Sequence, residues 1–217
     1  VEELAGSMAE IFGASEWAGA AGRLHDLGKY SLAFQRRLDG STKQVDHATA
    51  GALALGQHWS RNLTEQLSAR LLAYIIAGHH GGLPDYGTSA ADHNATLRKR
   101  LQSTAHIEDY SAAYKEIVLP DAPRRIPITP GPAPGFQFSF FTRMLFSCLV
   151  DADSLNTEAF ADPDKHLLRK RKEQTDEQTK MLFEQLKKQF YAYRSAKFHT
   201  PRGDIDRWRT EIFEETI

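Results

Sequence analysis

Apolar residues recur at helical spacing through most of the chain, and signals for β-strands are weak throughout. The clearest case starts near Thr64, where leucines and isoleucines follow one another three or four residues apart. It stops at Gly81-Gly82, and Pro84 confirms the stop. At 217 residues the chain is long enough to bury a core as one domain, or as one domain with an appendage. The sequence therefore predicts an all-α fold.

Composition and charge exclude several classes of protein. The net charge is −1, so the overall charge favours neither a nucleic-acid partner nor a membrane surface. No apolar run reaches the roughly 18 residues that a membrane span requires, and we expect no membrane partner. Cys148 is the only cysteine, which excludes a disulfide framework and a zinc site built from cysteines. It fits a reducing, cytoplasmic compartment.

Capping and turn residues divide the first half of the chain into helices. We expect Ser31 to cap a short helix that ends at the turn over residues 39–41, and Asp46 to cap a helix over 47–58. The other predicted helices cover residues 2–11, 16 to about 27 with Ser15 as cap and Gly28 as stop, 64–79, about 92–101 and about 107–118.

The second half changes character at a run of prolines. Six prolines between residues 120 and 134 describe a surface loop or an insertion. Residues 136–155 are apolar on all sides and predict a buried central helix. A helix with an apolar stripe is expected over 176–194, and a short helical tail at the end of the chain. The tryptophans are expected to pack in the core or at its edge rather than to stack on bases; they are Trp17, Trp59 and Trp208.

An adjacent His25-Asp26 pair stands at the end of an apolar helix, where both side chains are costly to bury unless they are paired or bind a metal. Further imidazoles follow at His47 and at His79-His80, and an acid follows at Asp151 or Asp153. Imidazole and carboxylate without thiolate suit Mn, Fe, Ni, Co or Zn. Two such ions about 3.5–4 Å apart can hold a phosphodiester and activate water. Taken singly, each histidine is more often a surface or capping residue.

The order of these motifs resembles the HD superfamily of metal-dependent phosphohydrolases. It is more closely similar to the HD nuclease domain of the CRISPR-associated nuclease-helicase of type I systems. The resemblance runs in register from residue 1 to about residue 158. It implies an HD-domain helical bundle over residues 1–199 with an irregular proline-rich insertion, followed by the start of a linker toward a helicase module over 200–217. The matching blocks are residues 25–29 (HDLGK), 46–51 (DHATAG), 78–83 (GHHGGL) and 149–153 (LVDAD).

The resemblance also implies roles for individual residues. Asp26 would be a catalytic ligand that bridges two ions, with His25 on the first ion. An acid of the central helix would complete the shell of that ion, and the short Ala-Asp pattern of the superfamily favours Asp153 over Asp151. Lys29 would act in catalysis by neutralising phosphate charge, the alternative being an exposed cation near a helix C-terminus. The second ion would be held by His47, His79 and His80.

The family has a further His ligand on its first helix, but residues 1–24 contain no histidine. The chain also begins without Met. We therefore expect both that ligand and the true N-terminus upstream of Val1.

The function implied is a metal-dependent endo- or exodeoxyribonuclease that degrades single-stranded DNA in CRISPR type I antiviral interference. Its cofactors would be one or two divalent ions, namely Mn, Ni, Fe or Co, with Mg possible. Its partners would be an ATP-driven helicase, fused or separate, and a guide-RNA surveillance complex (Cascade). Two alternatives stay open. One is an HD-type phosphohydrolase of nucleotides or cyclic nucleotides, and the other is a non-catalytic docking module with an empty metal site.

Clusters of basic residues offer two interpretations. They could hold a DNA backbone, or they could form an ordinary solvated surface. The clusters are Arg98-Lys99-Arg100, Arg124-Arg125 and residues 165–172. The remaining histidines are expected to be structural or solvent-facing; they are His58, His93, His106, His166 and His199.

Overall fold

The computed structural model describes residues 1–88, 96–102, 107–128, 131–171, 176–197 and 203–215. Every regular element in these ranges is helical, which confirms the all-α prediction. The α-helices are α1 Glu2–Ala9, α2 Ser15–Leu24, α3 Leu32–Leu38, α4 Ala48–His58, α5 Leu63–Gly78, α6 Leu97–Gln102, α7 Pro134–Ala161, α8 Pro163–Arg171, α9 Asp176–Lys197 and α10 Asp204–Glu215. Within the same ranges, 3₁₀ turns cover Glu10–Phe12, Leu27–Tyr30 and Ser111–Lys115.

The chain divides into two compact units, Val1–Pro163 and Asp164–Ile217. The boundary at residues 199 and 200 that the sequence suggests stays a prediction. None of the described helices has both the length and the apolar character needed to cross a membrane.

In the first unit the core is made where α1 packs on α2 and α4 packs on α5, with α7 in contact with α1, α2 and α5. The contact faces are rich in small residues such as Ala5, Ala21 and Ala50, all fully buried, so the helices approach closely. Larger side chains, among them Leu55, fill the space between them. Each large apolar side chain that is fully buried contributes about 1.5–3 kcal/mol to folding.

Two tryptophans anchor the proline-rich segment to this core. The buried indole N–H of Trp17 donates to the carbonyl of Arg125 at 3.3 Å, and that of Trp59 donates to the carbonyl of Pro120 at 2.8 Å. Both rings therefore pack in the core as predicted, and the loop is tied down at two points. Trp208, on α10 in the second unit, is 62% exposed, so it is not buried in a core, and packing at an edge stays a prediction.

Helix α7 is buried on one face only, and the expectation of burial on all sides is wrong. Phe141 and Leu145 face α1, α2 and α5, whereas Phe136 is 71% exposed and Phe140 and Met144 are also exposed. Residues four apart share one face of a helix, so this apolar row forms one face that is turned away from the core. An apolar composition shows no amphipathic pattern, and which face finds a neighbour is decided by tertiary packing.

One predicted cap, Ser31, is confirmed, and the predicted cap Asp46 lies one residue before His47, the N-cap residue of α4. The hydroxyl of Ser31 accepts a hydrogen bond from the backbone N–H of Phe34 at 3.3 Å, and a carboxylate oxygen of Asp46 accepts from that of Thr49 at 3.0 Å. These bonds satisfy N–H groups that have no partner within their own helix.

Other predicted boundaries are wrong. Helix α2 begins at Ser15 without a side-chain cap and ends at Leu24, not near Leu27. Helix α5 begins before Thr64, because the Asn62 side chain accepts from the N–H of Glu65 at 3.0 Å and serves as its cap. Within residues 107–118 the structure holds a 3₁₀ turn and not an α-helix. Of the helix expected over 92–101, residues 92–95 lie outside the described ranges, and α6 begins at Leu97.

The second unit contains nearly all of α8, together with α9 and α10. The helix expected over 176–194 is confirmed by α9. Its predicted apolar stripe is exposed; the stripe consists of Leu182, Leu186, Phe190 and Tyr193.

Candidate metal centre

The structure brings most of the predicted site residues together from four separate parts of the first unit. His25 and Asp26 follow α2, His47 directly precedes α4, and His79-His80 follow α5. Asp153 comes from α7. Their ligand atoms form two groups, in each of which all atoms lie within 4.8 Å of one another. One group is Asp26, His47, His79 and His80, and the other is His25, His79 and Asp153.

The choice between the two acids of α7 is visible in the geometry. Asp153 Oδ1 lies 3.5 Å from His25 Nε2. Asp151 is exposed and belongs to neither group. The predicted division of ligands between two ions differs from the grouping in two respects: His79 takes part in both groups, and Asp26 is grouped with His47, His79 and His80 but not with His25. The ligand roles themselves stay a prediction.

Two glycines allow the helices that carry these residues to meet. A Cβ on Gly28 would overlap the carbonyl oxygen of His47, and a Cβ on Gly51 in α4 would overlap the carbonyl oxygen of Leu24. In both cases the atom met is backbone, which cannot move aside as a flexible side chain does. The absence of a side chain at these two positions therefore lets His47 approach the turn that carries Asp26.

Backbone carbonyls fix the orientation of two imidazoles. His25 Nδ1 lies 2.8 Å from the carbonyl oxygen of Gly22, and His79 Nδ1 lies 2.7 Å from that of Ile76. A carbonyl only accepts, so each Nδ1 carries the proton and donates it. In the neutral ring the lone pair is then on Nε2, and that atom faces the acids. Metal-binding histidines are commonly oriented by this kind of bond to the other ring nitrogen.

The atoms that face one another are suited to a cation. His25 Nε2, His79 Nε2 and Asp26 Oδ1 are buried and have no hydrogen-bond partner among the described residues. His25 Nε2 lies 3.1 Å from Asp26 Oδ2, while His79 Nε2 lies 3.7 Å and His47 Nε2 3.6 Å from Asp26 Oδ1. Lone pairs that point at a carboxylate are unfavourable unless a proton or a metal ion lies between them. The donor set of imidazoles and carboxylates fits a divalent transition metal.

The charges around Asp26 favour the state that binds a metal. Burial alone would raise the pKa of Asp26, but the imidazoles of His25 and His79 and the ammonium of Lys29 beside its carboxylate hold that pKa far below the usual range. Burial lowers the pKa of His47 and of His80, and the opposing charge of Asp26 does not outweigh burial. At neutral pH Asp26 is therefore ionised, and His47 and His80 are neutral.

His25 behaves differently. Burial opposes its charged form, but the carboxylate of Asp26 at 3.1 Å outweighs burial and raises the pKa of His25. A proton on His25 Nε2 would occupy the position that a metal needs, so the two compete for this atom.

Lys29 lies at the edge of the site. Its ammonium is 2.5 Å from Asp26 Oδ2 and 5.8 Å from the centre of the Phe34 ring. The side chain is 40% exposed. The carbonyl of Lys29 accepts a hydrogen bond from Gln35 Nε2 at 2.7 Å, which holds the turn in place. Lys29 is therefore an ion-pair partner of Asp26 that solvent still reaches.

Arg100 is a neighbour of the site that the sequence indicated only as part of a basic cluster. Its guanidinium bonds to Asp46, Thr49 and the carbonyl of Ala77, so for this residue both the DNA-backbone and the solvated-surface interpretation are wrong. No local pattern shows such a bond, because the partners lie 23 to 54 residues away.

The other histidines are either apart from the site or undescribed. His58 is exposed, and neither it nor His166 belongs to the two groups. His93, His106 and His199 lie outside the described residues.

Comparison with known proteins agrees with this geometry. A family model described as "Cas3, HD domain" matches residues 3–137, more than half of the chain. The matched segment includes every histidine of the two groups and Asp26, and it ends before Asp153. No curated protein matches the chain. The family match confirms the resemblance found in the motifs, and the chain belongs to the Cas3 HD-domain family, which implies a metal-dependent nuclease role in CRISPR defence.

Proposed function

We propose that the chain is a deoxyribonuclease that cuts single-stranded DNA in the interference step of a type I CRISPR system, with divalent metal ions at the His-Asp cluster. One observation carries the proposal: the unpartnered Nε2 atoms of His25 and His79 face the ionised carboxylate of Asp26. Divalent ions at such a site polarise a phosphodiester and activate water.

Asp26 is suited to bridge two ions because its oxygens face different neighbours. Oδ2 lies toward His25 and Lys29, and Oδ1 lies toward His47 and His79. One ion would be bound on each side of the carboxylate. Asp153 would add a ligand on the side of His25, from which it lies 3.5 Å away. His80 would add a ligand on the side of His47, because the Nε2 atoms of His47 and His80 are 2.9 Å apart.

Lys29 would stabilise the charge of the phosphate in the transition state. Its ammonium is held by Asp26 at 2.5 Å and has further N–H donors, and its side chain is partly exposed. A positive charge placed in advance where negative charge develops lowers the barrier without reorganisation during the reaction.

Membership of the family is what supports the proposals about the wider setting of the enzyme. We propose Mn, Ni, Fe or Co as the ions, with Mg as a further candidate. A helicase module, fused or separate, would feed the single strand to a nuclease domain of residues 1–199, with 200–217 as the start of the linker. A guide-RNA surveillance complex (Cascade) would recruit the enzyme in the cytoplasm.

The test is digestion of circular single-stranded DNA with Mn²⁺, Ni²⁺ or Mg²⁺. We expect the wild-type chain to cut the circle with at least one ion, and His25→Ala and Asp26→Ala to abolish cutting. His58→Ala serves as the control, because its exposed ring lies outside the cluster.

Other outcomes would contradict the proposal in distinct ways. Hydrolysis of mononucleotides or cyclic nucleotides with the DNA left intact would indicate the nucleotide phosphohydrolase. No hydrolysis of either substrate with any ion would indicate the docking module. Equal cutting by all three variants would show that the site has been misplaced.

A further inference from the structure

The guanidinium of Arg100 joins the ends of two helices beside the metal centre. Nη1 donates to the carbonyl oxygen of Ala77 in the last turn of α5 at 2.6 Å. Nε and Nη2 donate to Thr49 Oγ1 in the first turn of α4 at 3.0 and 2.6 Å. Nη2 also lies 3.3 Å from Asp46 Oδ2, and Thr49 Oγ1 donates to that same oxygen at 2.6 Å. All three nitrogens of the guanidinium therefore donate hydrogen bonds within the protein.

This arrangement stabilises the end of α5 and the start of α4, each for a separate physical reason. The last carbonyls of a helix lack partners within the helix and carry partial negative charge, so a guanidinium at Ala77 suits the end of α5. The first turn of a helix favours an anion, and Asp46 supplies one at the start of α4 while it accepts from the N–H of Thr49. Arg100 and Asp46 form one charged pair that spans the two ends at 3.3 Å.

Arg100 itself is fixed in place. The backbone N–H groups of Leu97 and Arg98 donate to the carbonyls of Asp85 and Tyr86 at 2.8 and 3.0 Å. The Leu97 side chain is fully buried in the core. Helix α6 thus presents the guanidinium from a rigid base rather than from a free surface.

The ligand residues are the immediate neighbours of the atoms that Arg100 holds. His47 follows Asp46, and His79-His80 begin two residues after Ala77. We propose that Arg100 is a positioning residue of the metal centre, which sets the separation of His47 from His79-His80 by tying the start of α4 to the end of α5. This inference rests on the proposed function, because it assumes that these imidazoles bind metal.

The test compares Mn²⁺ affinity among variants of the whole chain. Titration calorimetry with Mn²⁺ on wild type, Arg100→Ala, Arg100→Lys and the neighbouring control Lys99→Ala gives the dissociation constants, each measured well below the melting temperature of the variant. We expect Arg100→Ala to weaken affinity about 10–100-fold, as is usual when a residue that supports metal ligands is removed. Lys99→Ala should stay within about twofold of wild type, since it removes a charge from the same helix and none of these hydrogen bonds.

The variant Arg100→Lys distinguishes a positioning role of the guanidinium from an effect of its positive charge alone. Lysine keeps the positive charge but offers a single ammonium instead of the planar fork. We expect its affinity to fall at least fivefold. Wild-type affinity for Mn²⁺ in Arg100→Lys, even with a lowered melting temperature, would show a merely stabilising or electrostatic role and overturn the inference. If Arg100→Ala does not fold, Arg100→Lys alone settles the question. A wild-type chain that binds no Mn²⁺ overturns the proposed metal centre itself, and with it the role of Arg100.

Discussion

Replacing Gly28 by alanine tests how closely the turn after α2 must approach the start of α4. The added methyl would overlap the carbonyl oxygen, Cα and carbonyl carbon of His47, all of which are backbone atoms. Gly28 is not among the glycines with positive φ, so alanine can adopt its backbone conformation and the effect is purely one of space. Either the turn or the start of α4 must move.

The magnitude follows from the cost of overpacking. Inserting a methyl group into a fully packed site costs about 1–3 kcal/mol. For a unit of this size each kcal/mol lowers the melting temperature by about 2–4 °C. Because the displaced residue is His47 itself, Mn²⁺ affinity should also fall by about tenfold or more, which corresponds to a loss of about 1.4 kcal/mol.

The assay is thermal unfolding together with Mn²⁺ titration, with Gly56→Ala as the matched control. Gly56 lies within α4 and an added Cβ meets nothing within 4 Å. Alanine there should stabilise the protein by about 0.5–1 kcal/mol through helix propensity and leave metal affinity unchanged. A Gly28→Ala variant with the melting temperature and Mn²⁺ affinity of wild type would refute the reasoning.

Three further predictions concern the acids, the pH dependence and a helix cap. Asp153→Ala should weaken Mn²⁺ binding about tenfold or more, whereas Asp151→Ala should not change it, because only Asp153 lies within 3.5 Å of His25 Nε2. Titrations at several pH values should show Mn²⁺ affinity rising as pH increases through the raised pKa of His25, since Nε2 must lose its proton to bind; affinity that is flat between pH 6 and 8 would contradict this. Asn62→Ala should lower the free energy of unfolding by about 1 kcal/mol in urea titrations without a change in Mn²⁺ affinity, because it removes the bond to the N–H of Glu65 at the far end of α5.

Helical spacing and capping residues predicted the elements better than their edges. The pattern of leucines and isoleucines predicted α5, and Ser31 caps the helix it was expected to cap. Asp46 bonds to the first turn of α4 from one residue before the N-cap residue His47. The start of a helix differs from the prediction where another residue serves as the cap, as Asn62 does for α5 in place of the predicted start at Thr64. The exposed row on α7 could not be found in this way, because a helix that is apolar on every side gives no indication of which face meets a neighbour.

The motifs identified the residues that meet at the site, and their chemistry explains why. An adjacent imidazole and carboxylate at the end of an apolar helix are costly to bury without a partner, so their position is itself informative. The contributions of Arg100 and Gly28 were not visible, because both depend on contacts between distant parts of the chain.

The most direct test of the metal centre is anomalous X-ray diffraction from crystals of the chain grown with Mn²⁺. We predict an anomalous peak in contact with a carboxylate oxygen of Asp26 and with Nε2 of at least one of His47, His79 and His80. The central claim is that these imidazoles and acids form a cation site. Crystals grown with a saturating concentration of Mn²⁺ that show no anomalous peak at Asp26, or peaks only at other residues, would contradict it.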